Sequence, residues 1–176
     1  GYAKRNGYVP ENGSAGNKIF VVKNAANTGT DLKADFLTGG IFFSSSSGEA
    51  KAVNNYNEFV GQIDAETTRE VDGSERRHRG FIYPYQANGT DASRIALFDS
   101  KAWWLDDLTN DGDAFGENNK FRIIDATDIN DAGVISATAI KCTVGGTAQP
   151  YDTTSHNSYC AVSYTHLEPT RHTRIS

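Results

Sequence analysis

The sequence predicts an all-β protein of short antiparallel sheets in repeats, propeller-like or solenoid-like. Three observations predict it. Short runs of β-branched and aromatic residues recur along the chain, each bounded by Gly, Asn, Asp or Ser. The composition is low in Leu and rich in Gly, Asn, Asp, Ser and Thr, which suits strands joined by polar turns better than long helices. One stretch of the first half also returns in the second at a fixed spacing, as in repeat architectures.

Taken in order, the strand-like runs begin with "NKIFVVK" (17–23) and "GGIFFS" (39–44). "NEFVGQID" (57–64) and "RGFIYPY" (79–85) follow, then "SRIALFD" (93–99) and "KAWWLDDL" (101–108). "KFRIID" (120–125) and "GVISATAIKC" (133–142) complete the series. Asn-Gly pairs at Asn6-Gly7, Asn12-Gly13 and Asn88-Gly89 favour tight turns with positive φ. A short helix is compatible with "GTDLKADFL" (29–37), with Asp31 as its cap.

The repeat pairs "AKAVNNYNEFVG" (50–61) with "ATDINDAGVISA" (126–137), an offset of 126 − 50 = 76 residues. Ala50 meets Ala126, Val53 meets Ile129 and Asn54 meets Asn130. Asn57 falls on Gly133, the two residue types that best tolerate a left-handed backbone. The shared chemistry is a small residue, an aliphatic anchor, a turn opened by Asn, then an apolar strand. An Asn at the head of such a turn accepts a hydrogen bond from the backbone two residues on. A weaker echo lies at the start, where "GYAK" precedes "NKIFVV" much as the strand through Gly61 precedes "RGFIYPY". The predicted core comprises Val53, Phe59, Phe81, Ile95, Ile123, Ile129 and Ile135.

Bulk properties narrow the function classes. A net charge of −5 argues against non-specific nucleic-acid binding, which needs a positive surface. No apolar run reaches the ~18 residues that a membrane span requires. The opening "GYAK" reads as the middle of a strand, so residues 1–161 are expected to be part of a longer β-repeat domain. The two cysteines, Cys142 and Cys160, flank a polar, turn-rich stretch, and a disulfide between them implies a periplasmic or extracellular address.

The motif elements "AVNNYNEFV", "HRGFIYPY" (78–85) and "WWLDDLTND" (103–111) resemble the HAF-type extracellular repeats of bacteria. "FRIIDATDINDAGVISATAIKC" with "YDTTSHNSYC" is similar to a proteobacterial secreted family of unknown function carrying those repeats. The resemblance implies an exported protein and no particular activity. "HRGF" departs from the compact H-A-F form by one extra residue.

Paired Trp103 and Trp104 beside paired Asp106 and Asp107 form the densest chemical cluster; they are candidates for a binding platform for a glycan or surface protein, against the plainer expectation of one Trp in the core and the Asp residues in a turn. A glycosidase needs two carboxylates flanking one bond at roughly 5 to 9 Å. Adjacent residues of a strand point to opposite faces, so Asp106 and Asp107 are expected to be a poor catalytic pair. Asp107, Asp111 and Asp113 fit the opening of a calcium loop, but its closing position is Asn118, and Glu117 falls one residue early. "RRHR" (76–79), beside Glu66, Glu70, Asp72 and Glu75 in a polar, hairpin-like excursion, is expected to make cross-strand charge pairs, with His78 in a structural hydrogen bond. His156 has no Cys or His at metal-ligand spacing. No cofactor is expected.

The end of the chain stands apart. "VSYTHL" (162–167) resembles one reading frame of the transposase end sequence used in DNA library preparation, and "EPTR" (168–171) the adjoining adapter. Residues 162–176 are therefore expected to be adapter translation that packs poorly against the body. The sequence as a whole predicts a secreted or envelope-associated bacterial β-repeat module with a structural or binding role. A secreted hydrolase acting on polysaccharide and a calcium-stabilised adhesin are the two alternatives.

Overall fold

The computed structural model describes residues 1–4, 6, 14, 16–26, 32–69, 76–85, 96, 98, 99, 101–109, 121–144, 147–148 and 159–167, of which 68, 69, 142–144, 147–148 and 159–167 are described by backbone alone. Among these the fold is all-β, with three antiparallel sheets and one five-residue helix, while Ala96 and Phe98 of the strand expected at 93–99 are helical. The first sheet has the order β1 (Tyr2–Lys4), β2 (Asn17–Val22), β3 (Ala34–Phe36). The second runs β4 (Gly48–Val53), β5 (Glu58–Arg69), β6 (Arg76–Pro84), β7 (Trp103–Trp104) and leads into helix α1 (Leu105–Thr109). The third joins β8 (Phe121–Ile129), β9 (Ile135–Val144), β10 (Thr147–Ala148) and β11 (Tyr159–Leu167), all paired to β9.

Strand alternation sends successive side chains to opposite faces, and the middle sheet uses both. Phe59, Ile63 and Phe81 pack with Ile19, Leu37 and Phe42 of the first sheet and its following loop. Their chain neighbours Val60 and Ile82 turn the other way, onto Ile123, Ala126, Ile129, Ile135, Ala137 and Ala139 of the third sheet and Leu105 of α1. The second sheet is thus covered on both sides, and the three sheets form a face-to-face stack.

The two hairpins at the 76-residue offset are built alike. Ala50, Ala52 and Val53 face Gly61, Val60 and Phe59, with a bulge at Lys51. Ala126, Asp128 and Ile129 face Ala137, Ser136 and Ile135, with a bulge at Thr127. In the first turn Asn54 N donates to Glu58 O at 3.1 Å and Asn57 N to Asn54 O at 3.2 Å. In the second Asn130 N donates to Val134 O at 3.1 Å and Gly133 N to Asn130 O at 3.0 Å. Asn57 and Gly133 both take positive φ, 60° and 81°, the left-handed position expected of that pair.

Several expectations change. Val53 is 63% exposed and not in the core; it shares a face with Phe59, but the short first sheet does not extend over it. Ile95 lies outside the described residues. "GGIFFS" is a turn with a single Gly39–Phe42 bridge, because Gly39 and Gly40 at φ 87° and 56° reverse the chain before a strand can form. The segment weighed as a helix at 29–37 carries strand β3, whose Phe36 pairs with Phe20. "KAWWLDDL" is a two-residue strand followed by α1 rather than one strand.

Candidate functional site

The break after Trp104 alters the chemistry of the acidic pair. Asp106 and Asp107 stand in the first turn of α1, where the helix dipole favours carboxylates. Neighbours there are only ~100° apart around the axis. Both therefore reach one guanidinium, which overturns their expected placement on opposite faces. Arg79 on β6 lies 3.3 Å from Asp106 Oδ2 through Nε and 2.9 Å from Asp107 Oδ1 through Nη2. The same guanidinium sits 4.7 Å above the ring of Trp104, a cation–π contact.

Asp106 is a tie rather than a free acid. Its side chain is 1% exposed, and Oδ1 accepts a hydrogen bond from Ile123 N at 2.8 Å. It thereby joins α1, β6 and β8. Burial pushes its pKa up to about 6, against the opposing pull of the Ile123 N–H and Arg79. A carboxyl raised above its ordinary value holds its proton more tightly in the folded state. Its stabilising contribution is complete below about pH 4 and lost as pH rises through about 6. Wild type is therefore expected to lose on the order of 3 kcal/mol more than Asp106→Asn between pH 4 and pH 7, read from urea midpoints. Parallel pH curves for the two proteins would remove this account.

The tryptophans divide between the two cores. Trp103 packs toward the third sheet, donates from Nε1 to Phe98 O at 2.8 Å, and lies under Lys101 Nζ at 4.6 Å. Trp104 packs toward the first sheet. Both are half-buried. Of the residues weighed for calcium, Asp107 is on Arg79, while Asp111 and Asp113 lie outside the described residues. Among the described residues no three His, Cys, Asp or Glu side chains group to hold a metal.

A second charged cluster was legible only in part. The "RRHR" run does pair across strands: Arg77 with Glu66, and Arg76 with Asp64 at 3.1 Å. Asp64 and Arg76 side chains are each 1% exposed. Asp64 also accepts from Ser47 N at 3.0 Å, Arg76 Nη1 donates to Ser45 O at 2.9 Å, and His78 Nε2 lies 3.1 Å from Asp64 Oδ1. The latch fastens the loop before β4 to β5 and β6. Asp64 was missed because it ends an apolar run; its signal was the basic run on the partner strand, where His78 faces it and Arg76 reaches it. Nearby, Lys51 bridges Glu49 at 2.9 Å and Asp125 at 3.8 Å, and burial raises the pKa of Asp125 while Lys51 opposes the rise.

At the opposite end of the β4–β5 hairpin the two equivalent turns touch. Asn54 Nδ2 donates to Asn130 O at 3.2 Å and to Glu58 Oε2 at 2.7 Å. Asn55 N and Nδ2 donate to Asp131 Oδ1 and Oδ2 at 2.9 and 2.7 Å. Each turn-to-turn bond joins residues 76 apart. The same turn positions thus serve as the contact between successive sheets.

Cys142 and Cys160 occupy directly facing positions of the β9–β11 ladder. The same ladder continues through Val162↔Ile140 to Leu167↔Ile135. The backbone from Val162 to Leu167 is therefore paired to β9, as a strand edge accepts any extended chain through its own N–H and C=O groups. Residues 168–176 and His156 lie outside the described residues.

No curated protein and no solved structure matches the chain. The family described as "Protein of unknown function (DUF3466)" matches residues 1–164, through every sheet described above. On that match the chain belongs to the DUF3466 family of proteins of unknown function.

Proposed function

We propose that this chain is a non-enzymatic structural or binding module of an exported bacterial β-repeat protein. The observation that carries the reading is the contact between equivalent turns 76 residues apart. It makes one sheet the template for seating the next, the logic of proteins that extend a surface by stacking like units. The resemblance to HAF-type repeats and the facing cysteines support an extracellular or envelope address. Half-buried Trp104 with Asp107 and Arg79 offers a polar and aromatic edge for a glycan or a surface protein.

The hydrolase reading draws on the raised pKa of Asp106. Burial weighs against it: a carboxylate 1% exposed and bonded to Ile123 N cannot approach a glycosidic oxygen. Wild type, Asp106→Asn and Asp107→Asn are expected to leave a panel of polysaccharides uncut. Wild type is expected to retain a glycan or surface protein that Trp104→Ala releases. Hydrolysis by wild type that Asp106→Asn abolishes would replace this reading with the enzymatic one. A melting temperature lowered by EDTA would favour the calcium-stabilised adhesin. The adapter origin of residues 162–176 is a proposal of its own, tested by sequencing the source locus across the codon for Ala161.

A further inference from the structure

We propose that Cys142 and Cys160 form a cross-strand disulfide that clasps β11 to β9. The chain holds two cysteines, and the fold sets them at facing positions of one antiparallel ladder. Facing residues of such a ladder have Cα atoms about 4.5 to 5.5 Å apart, inside the range of roughly 4.4 to 6.8 Å that a disulfide spans. A one-residue slip of register would send the two to opposite faces, so the coincidence depends on the register that Tyr159↔Thr143, Cys160↔Cys142 and Ala161↔Lys141 set.

The clasp has a mechanical consequence in this chain. Among the described residues β11 pairs with β9 alone, so one ladder holds it, whereas β9 is held by β8 as well. A strand at the margin of a sheet opens first, and a covalent link closes the long connection between β9 and β11 even in the open state. In forming it, the two thiols release two protons and two electrons and the S–S bond is made. The electrons pass to a disulfide-bearing oxidant of the thiol–disulfide exchange class, which leaves as a dithiol. Its occupancy in the cell rests on the exported address proposed above; its formation in purified protein does not.

The test uses the full chain incubated with oxidised glutathione, then alkylated in denaturant without reductant. Neither cysteine is expected to take up the alkylating agent, and a Cys142–Cys160 linked peptide is expected after proteolysis. Reduction by dithiothreitol, or Cys142→Ser, is expected to lower amide-exchange protection across β11 roughly a hundredfold while β5 and β6 keep theirs. Two alkylated thiols after the oxidant would overturn the link. A linked pair with unchanged β11 protection on reduction would overturn the clasp. Pairing in purified protein with reduced thiols in cells would support the clasp and sink the exported address, so the two readings fail separately.

Discussion

Arg76→Ala is expected to cost about 3 to 5 kcal/mol of folding stability, measured as the shift in guanidinium unfolding midpoint. The reason is an asymmetry of buried ion pairs. An intact pair returns little beyond the desolvation it demands, but removing one member strands the other charge in a medium that cannot solvate it. Asp64 and Arg76 are each 1% exposed at the side chain, with 3.1 Å between Nη1 and Oδ2. The truncation leaves Asp64 with the Ser47 N–H and His78, and it frees Ser45 O from its bond to Arg76. The double replacement Arg76→Ala with Asp64→Ala is expected to cost less than the sum of the single ones, by 1 kcal/mol or more on the order set by coupled pairs. Additive losses would mean that the two side chains are solvated independently and that the latch does not exist.

Phe81→Ala is the second large effect, about 3 to 5 kcal/mol. Phe81 is 0% exposed and meets Phe42 and Phe59 edge to face, at 5.5 and 6.1 Å between ring centroids. It packs in the core between the first and second sheets, where hydrogen-bonded strands on both sides can relax only partly into the void. Phe36→Ala provides the contrast. That ring is 53% exposed on the outer side of the first sheet, beside Phe20 at 5.9 Å, and its loss is expected to cost about 1 kcal/mol or less. Equal losses at the two positions would contradict the stacked-sheet core.

The patterns that read correctly were those governed by local chemistry. Asn54, Asn57, Asn130 and Gly133 announced their turns because positive φ and side-chain-to-backbone bonding are properties of those residues wherever they stand. Asn54 Oδ1 accepts from Tyr56 N at 3.0 Å, two residues on, as such a turn requires. Phe59, Phe81, Ile123, Ile129 and Ile135 were legible as core from alternation alone. Val53 misled because its strand pattern matches that of Ile129, yet burial depends on what lies opposite. Asp106 and Asp107 misled because a short helix follows directly on Trp104, and five residues are too few to establish a period.

The sequence by itself determined the class of fold, the two matching hairpins and the residues that turn them, since all of these follow from backbone preference and side-chain period over a few positions. Tertiary structure alone decided which side of each sheet is covered, that equivalent turns meet across the stack, and that Arg79 draws Asp106, Asp107 and Trp104 into one cluster. It also decided that Asp64 is buried against Arg76 and that Cys142 faces Cys160. These depend on the register and docking of segments far apart in the chain, where the free energy lies in desolvation and packing between strands rather than in any one of them.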